Sequence, residues 1–331
     1  MSHEIYDITI IGAGPVGLFT AFYAGLRNCK VKIIDSLEQF GGQPRYLYPE
    51  KNIFDIPAYP QINGYQLAQK LHQQLERFPI TYALGQEIQS LHYDQVHQAY
   101  HLHAPQQTHL SKTVIIAAGN GAFAPKKLTL ENIDHLEGKH LHYYVENLSN
   151  FRDKTVLVCG GGDSALDWAL MLNEIAKKVY LIHRRDKFRA LEHTVTELQN
   201  SSVEVLTPYV PISIQSKSTG EITTVSIQKV KNDAVIHLEV DDILVNYGFS
   251  SSMTTIRQWG LEMERSGIKV TSQLETSLPG VFAVGDIASY PGKLKLIATG
   301  FGEAPLAVQQ ALNFMNPDQP FIPIHSSDLL S

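Results

Sequence analysis

Gly12-Ala13-Gly14-Pro15-Val16-Gly17 follows the apolar run Tyr6-Asp7-Ile8-Thr9-Ile10-Ile11, and Val31-Lys32-Ile33-Ile34 then carries the chain to Asp35. The order predicts a buried strand, a glycine turn, a helix over about Val16 to Gly25, and a second strand: a complete βαβ unit. Glycines at 12 and 14 let the backbone approach a pyrophosphate at the helix N-terminus, and Gly17 permits close helix packing. An acid at the end of the second strand accepts hydrogen bonds from a ribose with free hydroxyls.

The turn occurs a second time. Thr155 to Cys159 reads as a strand, and Gly160-Gly161-Gly162-Asp163-Ser164-Ala165 follows. A helix over Asp163 to Ala176 and a strand over Val179 to Ile182 then lead to His183-Arg184-Arg185. From first glycine to reading residue the interval is the same, 12 to 35 and 160 to 183, 23 positions each. Here the reading residues are basic, and paired arginines bind the oxygens of a 2′-phosphate. One glycine turn alone is a weak signal. Two turns with different endings imply two nucleotides of different kinds, and electrons passed between them.

Length and composition set the frame. A chain of 331 residues can build two domains with full cores. It is 44% hydrophobic and 18% charged, ordinary for a globular protein, and its net charge of −6 does not indicate a nucleic-acid partner. Ile8 to Leu26 carries no charge and has the length of a membrane span. Its glycines, Pro15 and the flanking Glu4 and Asp7 favour a strand, a turn and a packed helix instead, so no membrane association is expected. Cys29 and Cys159 are the only cysteines, which argues against a disulfide framework and fits a reducing cytoplasm. His92, His97, His101, His103 and His109 fit alternating strands and loops and read as surface histidines, so no metal site is expected.

Between the modules, Leu37 to Tyr59 reads as an extended loop, Tyr65 to Phe78 as a helix, and Glu87 to Ala104 as alternating strands. Thr113 to Gly119 and Asp242 to Gly248 are apolar runs ending in glycine; Gly280 to Asp286 is a strand ending in an acid; a helix is expected from about Ala304 to Asn316. The expected fold is α/β: two Rossmann-like, three-layer nucleotide-binding domains, with the second inserted into the first. Residues 1–122 and 249–331 would form one domain and 123–248 the other.

Several stretches together resemble a known family: the turn at 12–17, the loop Ser36 to Lys51, the run Cys159 to Leu170, the segment His183 to Ala190, Gly280 to Asp286, and the tail Ile324-His325-Ser326-Ser327. The chain resembles the pyridine nucleotide–disulfide oxidoreductases and, more narrowly, the thioredoxin-reductase-like ferredoxin–NADP+ reductases. The resemblance implies FAD on the first turn, held by Gly12, Gly14, Pro15, Gly17 and Asp35. It implies that Asp286 binds the ribityl chain, Gln43 hydrogen-bonds the cofactor and Tyr48 stacks on one flavin face, with Ile88 and Phe123 as further contacts. His325 would cover the other face, from its own tail or that of a homodimer partner, and the Ser327 hydroxyl would add a contact. NADP(H) would lie on Gly161, Gly162, Asp163 and Ser164, with Arg184 and Arg185 at the 2′-phosphate and His183 beside them.

The implied activity passes hydride between NADP(H) and FAD and single electrons between FAD and ferredoxin or flavodoxin. No residue is expected to act as a general acid or base. Thioredoxin reductase carries a Cys-x-x-Cys before the second turn; here Tyr143 to Asn147 holds no cysteine, and disulfide exchange needs a thiolate. An NADPH oxidase or quinone reductase, or an NADPH-sensing flavoprotein, are the alternatives. Docking a carrier protein would use a local basic patch, for which Lys126, Lys127, Lys51 and Arg45 are candidates.

Overall fold

The computed structural model describes residues 4–145, 147–217, 221–264 and 267–318. It divides into two compact units, Met1–Phe123 with Ser251–Ser331, and Ala124–Ser250. The chain passes between them in the strands Ala122–Pro125 and Phe249–Ser252.

The first unit is built on a seven-stranded sheet. Ile5–Ile11 lies at its centre, parallel to Val31–Ile34 on one side and to Thr108–Ile116 on the other. Ile8 and Ile10 are wholly buried, as expected of a parallel strand covered on both faces. Thr81–Ala83 extends the sheet beyond Val31–Ile34. The long strand Thr108–Ile116 is shared at its far edge. Its start pairs antiparallel with Ala99–His103, which in turn pairs with Ser90–Asp94, while its end pairs parallel with Val281–Ala283. A three-stranded meander and a five-stranded parallel sheet are thus spliced through one strand.

Two segments differ from the sequence expectation. Leu37 to Tyr59 is not simply extended: Gly42–Leu47 is a helix, entered through Gly41 and Gly42 at φ 112° and 58°. Only glycine reaches that conformation without strain. The C-terminal helix is Ile297–Met315, starting two turns before Ala304. Pro305 lies inside the helix, where its missing N–H and its ring would ordinarily break the ladder. The buried faces of Gly300, Ala304, Ala307, Val308 and Ala311 hold the helix on both sides of it.

The second unit has a five-stranded parallel sheet in the order Leu141–His142, Asp242–Asn246, Thr155–Gly160, Lys178–Ile182, Glu204–Leu206. Strand alternation splits its core. Val156, Val158, Val179 and Leu181 face a cluster with the helices Asp163–Asn173 and Glu192–Gln199. Leu157, Cys159, Ile243 and Val245 face the opposite side, where Val225 and Ile227 of a three-stranded antiparallel sheet cover them.

Candidate functional site

In the first unit a cleft opens at the carboxyl ends of the parallel strands, where ligands bind in open α/β sheets. Gly12, Gly14, Pro15, Asp35, Gln43, Tyr48, Ile88 and Asp286 all line it. The three glycines do different work. A Cβ on Gly12 would stand 2.4 Å from the Ala117 carbonyl oxygen, and one on Gly17 would stand 1.9 Å from that of Gly12. Both are packing glycines. A Cβ on Gly14 meets nothing nearer than Gly42 Cα at 3.8 Å; the space beside it is open. Gly14 also caps the helix Pro15–Leu26, whose first turn has no side-chain cap and no acidic residue. Its free amides and positive end are suited to a pyrophosphate.

Asp35 braces this cradle. Its Oδ2 accepts the Ala13 N–H at 2.6 Å and its Oδ1 the Leu37 N–H at 2.8 Å. Burial raises its pKa above the usual carboxylate range, and the Leu37 and Ala13 hydrogen bonds act against that rise. Ser36 also donates to this carboxylate, so the loop takes most of its roughly four acceptor positions. Tyr48 ends the helix Gly42–Leu47. Burial raises its phenol pKa, and the charge of Asp286 adds to the rise.

The cleft also has supports that sequence reasoning missed. Glu303, buried in the C-terminal helix, accepts the Gly285 N–H at 2.7 Å and the Tyr290 hydroxyl at 2.5 Å, and pairs with Lys293. It therefore holds the turn that carries Asp286. Gly42 presses on the first glycine turn: a Cβ there would be 2.7 Å from Gly14 Cα. Trp259 and Thr255 line the cleft from the segment after residue 251, and Gln86 lines it beside Ile88. Gln86 is held by His109 Nε2 at 2.9 Å. His109 is buried, not a surface residue as its sequence context suggests, because its strand lies inside the sheet.

In the second unit, Gly162 caps the helix Asp163–Asn173 without a side-chain cap. Gly161 is required by His183, whose ring occupies the space of a side chain: a Cβ would lie 2.3 Å from Nδ1. The imidazole stacks on Phe188 with centroids 5.7 Å apart. Burial lowers its pKa, helped by Arg184, Arg185 and Arg189, so it stays neutral. Its Nε2 is buried with no hydrogen-bond partner among the described residues. Asp163 Oδ1 accepts the Leu191 N–H at 2.9 Å, a role in the fold, and Ser164 is exposed. Arg184 and Arg185 are exposed and line a hollow with Lys229 and Lys231. These lysines carry no sequence signal; the antiparallel sheet brings them there.

The Phe123 side chain and the tail residues His325 and Ser327 lie outside the described residues. Of the candidate docking cations, Lys127 pairs with Glu137 at 2.7 Å, and Arg45 donates to the Phe40 carbonyl and lies over the Phe40 ring. Lys51 is engaged as well. Both cysteines are free thiols. Burial pushes Cys29 up to about 12 and Cys159 higher still, so neither supplies a thiolate at neutral pH.

The family model for pyridine nucleotide-disulphide oxidoreductases matches residues 6–311. The chain belongs to that family. It is 51% identical over 326 residues to ferredoxin–NADP reductase 2 of Listeria monocytogenes serotype 4b, covering 98% of both chains. It is 50% identical to the ferredoxin–NADP reductase of Geobacillus thermodenitrificans, again over 98% of both. Among solved structures it resembles Lactococcus lactis thioredoxin reductase (TM-score 0.70, 27% identity, 93% of this chain and 98% of that one). T. acidophilum thioredoxin reductase, at 23% identity and TM-score 0.70 over 95% and 99%, shares the fold. Among the described residues, no helix is long and apolar enough to cross a membrane.

Proposed function

We propose that this chain is a flavoprotein reductase that moves electrons between NADP(H) and a small one-electron carrier, ferredoxin or flavodoxin, through FAD. The observation that carries the reading is the pair of glycine cradles with opposite endings, Asp35 after one and Arg184-Arg185 after the other. Relatives about half identical over nearly the whole chain bear the name ferredoxin–NADP reductase, which supports the carrier.

FAD fits the first unit. The open side of Gly14 and the uncapped helix start would receive the pyrophosphate, and Asp35 would face the adenosine ribose from the same cleft. Gln43, Tyr48 and Asp286 line the same cleft for the flavin end. NADP(H) fits the second unit, with Gly161 to Ser164 at the pyrophosphate and the arginines at the 2′-phosphate. When bound, FAD would supply the redox chemistry that links a two-electron hydride donor, NADPH, to two one-electron carriers. The protein's share is position and field. Neutral His183 beside the arginines leaves the phosphate site's charge to the guanidinium groups, and Tyr48 presents a ring to the flavin end. The route that ends in a dithiol is closed, because each thiol is single and protonated, Cys159 buried and Cys29 half-buried. The homodimer and the cytoplasmic setting belong to the same reading and rest on the family resemblance and on unpaired cysteines.

The test is NADPH-driven reduction of ferredoxin, flavodoxin, thioredoxin, a quinone and oxygen in parallel. Saturable reduction of ferredoxin or flavodoxin well above the rest is the expected result. Faster turnover with quinone or oxygen would make it an oxidase or quinone reductase. Negligible turnover with every acceptor, with both nucleotides bound, would make it a sensor.

A further inference from the structure

The hairpin Ser90–Asp94/Ala99–His103 forms the outer edge of the large sheet, away from the nucleotide cleft in the strand order. Its register places His92 opposite His101, Ser90 opposite His103, and Asp94 opposite Ala99. Leu91, Leu102 and Tyr100 point to the other face and are buried. Side chains alternate along a strand, so His92, Asp94, His101 and His103 share one face. The turn closes at Gln98, at φ 48°, and brings His97 over the same face.

Asp94 divides its carboxylate. Oδ1 accepts the Val96 N–H at 2.8 Å and so shapes the turn. Oδ2 lies 2.6 Å from His97 Nδ1 and 3.3 Å from His101 Nε2. One donor atom from each of the three residues lies within 4.8 Å of the others. His101 Nε2 is buried and lacks a hydrogen-bond partner among the described residues even though Asp94 is at ion-pair distance. The turn's own needs explain Oδ1; they do not explain two imidazole nitrogens converging on Oδ2.

We propose that Asp94, His97 and His101 form a binding site for a divalent first-row transition ion, with Zn2+ as the reference case. Imidazole nitrogens are borderline ligands that suit Zn2+, Co2+, Ni2+ and Cu2+, and a carboxylate oxygen can join them on such an ion, whereas Mg2+ and Ca2+ prefer oxygen alone. With metal–ligand bonds of about 2.0–2.2 Å, tetrahedral donor atoms stand about 3.3 Å apart. Oδ2 and His101 Nε2 already stand at that separation. Oδ2 and His97 Nδ1 share a proton at hydrogen-bond distance, and the ion would replace that proton and open the pair. Water would complete the coordination, since Asp94 and His97 are both reachable from solvent. The ion would staple a sheet edge that otherwise ends in an exposed turn.

The full-length protein, with its flavin bound, is dialysed against chelator and titrated with ZnCl2 by calorimetry and with CoCl2 by visible absorbance. Saturation at one ion per chain is expected. Asp94→Asn and the double variant His97→Ala/His101→Ala should each weaken binding about tenfold or more. His193→Ala, which removes an exposed histidine on a helix of the other unit, should not. Zn2+ should raise the thermal midpoint of the wild type and leave those of the hairpin variants unmoved. His101→Gln, close in size, keeps the comparison if the double variant fails to fold. Equal affinity in the hairpin variants would put the ion elsewhere, and no saturable binding up to millimolar Zn2+ would mean there is no site; either result overturns the proposal.

Discussion

His109 sits between two groups that fix its proton. Lys32 Nζ lies 3.2 Å from Nδ1, and Gln86 Oε1 lies 2.9 Å from Nε2. An ammonium can only donate, so Nδ1 accepts and Nε2–H donates to Gln86. A second proton would face a cation inside the protein, and burial first, Lys32 second, lower the pKa to about 4. A histidine in the unfolded chain titrates near 6.5. The folded state therefore refuses a proton that the unfolded chain accepts between those values. The stabilisation is complete above pH 6.5 and falls away towards pH 4, by about 3 kcal/mol. Urea unfolding from pH 7 to 4 should show this limb in the wild type and a shallower one in His109→Gln; equal slopes would remove the assignment. At the opposite end of the exposure scale are Arg184 and Arg185. Replacing both with alanine should raise the NADPH KM about tenfold to a hundredfold, the worth of a charged hydrogen bond or two. The NADH KM should stay within error, so the change reads as lost phosphate recognition. An unchanged NADPH KM would place the 2′-phosphate elsewhere.

At the scale of elements, the glycine turn separates packing from binding. Gly17→Ala drives a Cβ to 1.9 Å from a backbone oxygen, which cannot move without shifting the strand-to-helix connection. A loss of about 1–3 kcal/mol or more in unfolding free energy is expected. Gly14→Ala has φ −73°, within reach of any residue, and open space for its methyl. It should fold with wild-type circular dichroism and midpoint yet retain less flavin after gel filtration. If Gly14→Ala keeps its flavin fully, the open side of the turn is not where the pyrophosphate lies. The C-terminal helix shows the reverse situation, in which local signals mislead. The helix is expected only from about Ala304, whereas the buried small-residue face from Gly300 to Ala311 carries it from Ile297 through Pro305. Packing outweighs a local propensity here, which is the usual order of strength.

At the scale of the molecule, the second unit is one continuous stretch. Its first and last core strands are neighbours, Leu141 pairing with Ile243, so the chain enters and leaves at one place. Two buried clusters lie wholly within it. Residues 124–250 expressed alone should fold cooperatively, with a stability of about 5–15 kcal/mol, and bind NADP+ but not FAD. A single urea transition followed by calorimetry with each nucleotide would decide it. An unfolded fragment would mean the unit depends on the rest of the chain.

The sequence by itself determined the two nucleotide units and the different ending of each glycine turn. Those features are local: a glycine that tolerates a close backbone, a helix start, and a reading residue at a fixed interval all lie within one βαβ stretch. A strand near Gly280 to Asp286 belonging to the first unit was legible too; the tertiary structure decided which strand it pairs with and how the second sheet is completed. The fifth strand of the first unit, Val281–Ala283, comes from after the inserted unit, whereas that of the second, Leu141–His142, comes from before its glycine turn. It also decided that Glu303 holds the Asp286 turn, that His109 is buried, and that Asp94, His97 and His101 converge. The physical reason is common to all of these. Each depends on which strand edge remains unpaired and which face remains uncovered once the rest of the sheet has formed. That is a property of residues distant in the chain, and local periodicity carries no trace of it.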